Sequence, residues 1–110
     1  MRRAASWYSS RGRSPKTYTA KLVGPGDLAA QASQVYANLG RALAAAGARP
    51  DQVARITIYV VNYERDVCLP IIEAARAALF GAHKPADVVL GVTSLSPGYL
   101  IEVDAIAVMD

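Results

Sequence analysis

The sequence of 110 residues is short of most groups on which chemistry is commonly built. Its one cysteine, Cys68, excludes an internal disulfide framework and a cysteine-based zinc cage. Its one histidine, His83, excludes any site that needs two. No apolar run approaches the ~18 residues that cross a bilayer. The early arginines are not followed by the apolar stretch of about 7–15 residues that marks a secretory signal. These absences lead us to expect a cytoplasmic protein of a reducing compartment, with no membrane segment. Charged residues are also few, at 19%, whereas apolar ones reach 53%. That balance excludes disorder and supplies one core, and the length leaves room for one domain.

The net charge of +3 is unevenly spread. Arg2, Arg3, Arg11, Arg13 and Lys16 all precede residue 17, with no acid among them. The remainder carries 7 Lys and Arg against 9 Asp and Glu, a net of −2. Residues 1–14 therefore read as a basic leader, at most an edge strand, and residues 15–110 as the domain. A nucleic-acid binder would carry its basic patch on the folded face, with aromatics interleaved, so no nucleic-acid partner is expected.

Trp7-Tyr8 suits a short strand, and Tyr18 to Val23 a second. Gly24-Pro25-Gly26 punctuates the chain. It precedes a helix but lacks the lysine and glycine spacing of a phosphate loop, so it is a turn. Asp27 then caps a helix whose apolar stripe is Leu28, Ala32, Val35, Leu39 and Leu43, with Gly47 to end it. Val53 to Val61 is nearly continuous in apolar character and predicts a strand covered on both faces. A second helix is expected from about Asp66 to Phe80, with Leu69, Ile72, Ala75, Leu79 and Phe80 inward. Pro70 should fall in its first turn. Val88 to Leu95 and Tyr99 to Met109 read as closing strands. On the last, Ile101, Val103, Ala105, Ala107 and Met109 share one face; Leu100, Glu102, Asp104, Ile106 and Val108 share the other. The expectation is an α+β fold with two helices on one face of a sheet. Leu100, Ile106 and Val108 would remain on the open face, which predicts a second subunit against it.

At this point the sequence resembles the Rid family, the reactive intermediate deaminases also called YjgF or L-PSP proteins. The resemblance lies in Gly26-Asp27-Leu28-Ala29-Ala30-Gln31, Asn38-Leu39 through Ala46-Gly47, and Ile56-Thr57-Ile58-Tyr59-Val60. It continues in Phe80-Gly81, His83-Lys84-Pro85-Ala86 and Ile101 to Ala107. It implies a chorismate-mutase-like mixed sheet with two helices on one face, a homotrimer, and ligand clefts between subunits. It also implies hydrolysis of enamines and imines to keto acid and ammonia, with no cofactor and no metal.

The family clamps its substrate carboxylate with an arginine after Pro-Ala, where this chain has Asp87. A carboxylate there repels a carboxylate. The cysteine common two positions later is Val89, and the asparagine usual on the second helix is Glu73. The early Ser-Gly-Gln strand is at best Ser9-Ser10-Arg11, and the usual first strand with its pocket tyrosine is expected to be absent. Glu102, which in the family positions or activates water, is kept.

Glu102 is thus the candidate catalytic residue, set against an interface ion pair with Arg55 or Lys84 of a neighbour. Asp104, on the same face, reads as structural. Asp87, Glu73 and Tyr99 are the candidate substrate-binding residues. Asp87 competes with a solvated aspartate that has lost its role. Tyr99, like Tyr59, competes with plain packing. His83 reads as a loop histidine and Cys68 as a small core residue. Three functions remain open: a divergent Rid protein handling another small metabolite, a deaminase using Arg55, Arg76 or an N-terminal arginine instead, and a non-catalytic trimeric interaction protein.

Overall fold

The structure, a computed structural model, describes residues 6–9, 14–17 and 21–109. Four strands form one mixed sheet in the order β1-β4-β2-β3: β1 (Ser6–Ser9), β2 (Val53–Val61), β3 (Ala86–Val92) and β4 (Ile101–Met109). Two helices, α1 (Leu28–Ala45) and α2 (Arg65–Phe80), cover one face. β4 runs antiparallel to both β1 and β2, and β2 runs parallel to β3 across the α2 crossover. The expected leader thus contains a paired strand in Ser6–Ser9, while the rest of residues 1–13 lies outside the described residues. Of the strand expected at Tyr18 to Val23, residues 18–20 also lie outside them. Its end forms only a small bridge, Lys16 to Leu22, off the main sheet.

The local signals act where the residues place them. Asp27 accepts a hydrogen bond from the Ala30 N–H at 3.1 Å and so caps α1. Ala32, Val35, Leu39 and Leu43 are all fully buried beneath it. On β4 the alternation is complete: Ile101, Val103, Ala105 and Ala107 are buried, and Glu102, Asp104, Ile106 and Val108 are partly open. Those apolar residues meet Ile56, Ile58 and Val60 of β2, and Ile72 and Phe80 of α2, in one core.

Three expectations are corrected. β2 is covered on one face only; Thr57, Tyr59 and Val61 on the other are half-open. Its apolar run reflects a second face with no partner inside the chain. Pro70 sits in the second turn of α2, not the first, because the helix begins at Arg65. The N–H that proline lacks would have bonded to the carbonyl of Asp66, and both residues face solvent, which leaves that oxygen accessible to water. The third strand runs from Ala86 to Val92, ahead of the span expected, because its parallel register with β2 starts at Arg55 and ends at Val61.

Polar side chains fasten the loops to α1. Gln31, with no exposed surface, donates to the carbonyls of Gly24 (3.3 Å) and Gly98 (3.0 Å) and accepts from the Leu100 N–H (2.8 Å). Asn38 donates to the carbonyls of Ser14 and Lys16 and accepts from Gln34 and Arg41. Gly98 holds φ at +82°, and a Cβ there would meet Leu22 at 2.6 Å, so the turn before β4 requires glycine. No helix among the described residues is long and apolar enough to cross a membrane.

Candidate functional site

Sheet register decides which candidate residues can meet. Asp87 pairs with Ile56, so it shares the helix-covered side of the sheet at the start of β3. Its Oδ2 stands 4.0 Å from Nε of Arg76 on α2. Glu73 lies one turn before Arg76 on the same helix face. Beside it, Arg65, Asp66, Leu69, Pro70 and Glu73 line a hollow of about 380 Å³. Close enough to feel these charges is the buried hydroxyl of Tyr36, which has no hydrogen-bond partner among the described residues. Burial pushes the Tyr36 phenol far above its ordinary value; Arg76 opposes this, and Asp87 and Glu73 add to it. Edge-to-face contact with Phe80, at 6.4 Å between ring centres, fixes the tyrosine ring.

Glu102 lies elsewhere. It pairs with Tyr59, which puts it on the open face with Asp104. The Tyr59 hydroxyl donates to Oδ2 of Asp104 at 3.2 Å. Desolvation first, then the charge of Asp104, raises the Tyr59 phenol above its ordinary value. Asp104 is therefore held by a hydrogen bond within its own chain. Around this polar row, Val88 and Leu90 are 39% and 43% exposed. Ile106 and Val108 complete the apolar surround.

Tyr99 lies at the far end of the sheet from Asp87, in the loop before β4. The Lys16 ammonium sits over its ring at 5.4 Å. Of the four candidate residues, one chain therefore brings together Glu73 and Asp87. Glu102 is on the opposite face and Tyr99 at the opposite end.

The remaining candidates have structural work. His83 Nε2 meets the Val53 carbonyl at 2.8 Å and ties the loop after α2 to the start of β2. Cys68 is buried, with its sulfur 3.5 Å from the Glu64 N–H. Among the described residues no group of three His, Cys, Asp or Glu side chains is placed to hold a metal ion. Sequence reasoning missed Tyr36. Its one signal was an aromatic residue beside Val35 in a helix otherwise rich in alanine.

Residues 3–109 match the family described as endoribonuclease L-PSP. A structure of a Rid-family protein of unknown function from Yersinia pestis, YyfB, superposes with a TM-score of 0.86 at 36% identity, covering 94% of this chain and 78% of that one. A RutC family protein of Pyrococcus horikoshii is 34% identical over 82 residues, 74% of this chain. The match spans 63% of that relative's length. Protein HMF1 of Saccharomyces cerevisiae is 31% identical over 96 residues, covering 87% of this chain and 71% of the relative.

Proposed function

Because the chain belongs to the endoribonuclease L-PSP family, the Rid or YjgF family, we propose that it binds or processes a small metabolite in clefts between the subunits of a homotrimer, without 2-imino acid deaminase activity. The observation that carries this reading is Asp87. It stands where the resemblance places a substrate-clamping arginine, and it faces Arg76 at 4.0 Å. An anionic imino acid would meet a carboxylate there.

The assembly follows from the open face. Val88, Leu90, Ile106 and Val108 leave apolar surface on one side of the sheet, and β3 is an unpaired edge among the described residues. Within one chain Asp87 and Glu102 are separated by the sheet, so a cleft holding both needs two copies. Glu102 would then orient water against a ligand held by the neighbour's Asp87 side. The reading invokes no cofactor. The nuclease in the family's description is the weaker reading, because residues 17–110 carry a net charge of −2 and RNA binding rests on neutralising phosphates.

A second reading has one observation in its favour. Arg76 places a guanidinium beside position 87, so a deaminase could clamp its substrate with Arg76 instead. Keto-acid release from 2-iminopropionate, generated by an amino-acid oxidase, decides between the two. We expect no acceleration by the protein, and partial activity in Asp87→Arg. Robust wild-type activity would establish the second reading. Light scattering should give a trimer at micromolar concentration, and Ile106→Asp should dissociate it, since a charge buried unpaired at an interface is costly. A monomeric wild-type protein would remove the cleft.

A further inference from the structure

Among the described side chains, the open face of the sheet carries three charges: Arg55 on β2, and Glu102 and Asp104 on β4. Register sets them in a row. Arg55 lies opposite Ile106, Thr57 opposite Asp104, and Tyr59 opposite Glu102. Asp104 is already engaged, because the Tyr59 hydroxyl donates to it at 3.2 Å. That bond stands between the two outer charges, and both act on the phenol: Glu102 helps to raise it and Arg55 to lower it.

Arg55 and Glu102 are left over. The ion pairs among the described residues are Arg49–Asp51 and Arg76–Asp87, and neither open-face charge takes part in one. Arg55 is exposed and Glu102 is half-buried. In a single chain this costs little, because water solvates both. A second copy laid over Val88, Leu90, Ile106 and Val108 would take that water away. A guanidinium or carboxylate covered there without a partner is expensive.

The face carries what it needs to avoid that cost. Each copy brings one unmatched cation and one unmatched anion, at different rungs of the same sheet. A head-to-tail contact sets the cation of one copy against the anion of the next, and in a closed ring every such charge is used. The flat fork of a guanidinium suits a carboxylate, and the carboxylate keeps acceptor sites free for water.

We propose that Arg55 of one copy pairs with Glu102 of the next across each subunit seam, so that a neighbour orients the carboxylate of the site. The inference rests on the homotrimer reading above and deepens it by naming the pair that sets the seam.

Sedimentation of the full chain over a range of concentrations tests it. Arg55→Glu and Glu102→Arg each set like charges across the seam, and each should raise the concentration at which the trimer dissociates at least about tenfold. The double variant Arg55→Glu/Glu102→Arg rebuilds the pair with its ends exchanged and should return to within about threefold of the wild type. Neutral variants serve where a reversed charge upsets folding. Arg55→Gln and Glu102→Gln should each loosen the trimer, and both together no more than either alone. Lys84→Gln should leave it unchanged. Additive effects in the double glutamine variant, an exchanged variant weaker than both singles, or coupling of Glu102 to Lys84 instead overturns the pair. A wild-type protein that stays monomeric at every concentration removes the homotrimer and the pair together. A trimer indifferent to the Arg55 and Glu102 variants removes the pair and leaves the homotrimer standing.

Discussion

Gln31 and Tyr36 lie five positions apart on α1, both buried, and their polar ends have opposite fates. Gln31 donates two hydrogen bonds and accepts one, each to the backbone of a loop. Tyr36 makes none. The Gln31 end of the molecule is closed: Gly24, Gly98 and Leu100 converge on one side chain, and nothing is left for a ligand to satisfy. At the Tyr36 end the hydroxyl is buried without a hydrogen-bond partner among the described residues, and the nearby Arg76–Asp87 pair stands at 4.0 Å. A satisfied buried group fixes the fold, whereas an unsatisfied one weighs against it.

The largest expected effect tests the closed end. Gln31→Leu keeps the volume but strands two carbonyls and an N–H. It should cost about 3 kcal/mol and lower the melting temperature by on the order of 10 °C. A shift of a degree or two would show that water replaces the side chain easily, and the two ends would then differ less than the bonding suggests.

Tyr36→Phe is the matching change at the Tyr36 end. It removes an unbonded hydroxyl, so stability near neutral pH should stay level or rise by about 1 kcal/mol. A clear loss in thermal unfolding would mean that the hydroxyl has a partner in solution. The same variant has a signature in alkali. The folded phenol is pushed up from an ordinary value of 10.0, so above about that pH the unfolded chain gives up a proton that the fold retains. Stability should therefore fall as pH rises past 10, and less steeply in Tyr36→Phe than in the wild type. Parallel pH curves for the two proteins would contradict the burial of this group.

The smallest effect belongs to the leader. Removing residues 1–5 takes away Arg2 and Arg3 but spares the strand at Ser6–Ser9. The melting temperature should hardly move. A drop of many degrees would make the leader a third structural region comparable with the Gln31 end.

Much of the fold was legible because its signals are local. The period-two alternation of β4 and the helical stripe through Ala32, Val35, Leu39 and Leu43 each announce a buried face within a few residues. Asp27 stands at the cap because its own chemistry favours that place. The site was less legible because its parts meet through register. Asp87 faces Arg76 only because β3 pairs in parallel with β2 and sets Asp87 opposite Ile56. One step of slippage would send Asp87 to the other face, with Glu102. Gln31 read as part of a family motif, with no sign that it holds two distant loops. The open face of β2 read as covered because apolar character does not say whether the cover comes from the same chain.

The strand order has a consequence for how the molecule comes into being on the ribosome. β4, the last strand along the sequence, lies second in the sheet, between β1 and β2. β1 pairs only with β4, Ser6 opposite Met109, and cannot join the sheet until nearly the whole domain has been translated. Until then β2 and β3 form a two-stranded parallel pair beside α2, with the β2 edge bare and Ile56, Ile58 and Val60 lacking the neighbours that β4 brings. A nascent chain in that condition carries an exposed apolar edge, the kind of surface that chaperones bind and that aggregation exploits. Arrival of Ile101 to Met109 covers that edge and gives the first strand its place in the same event.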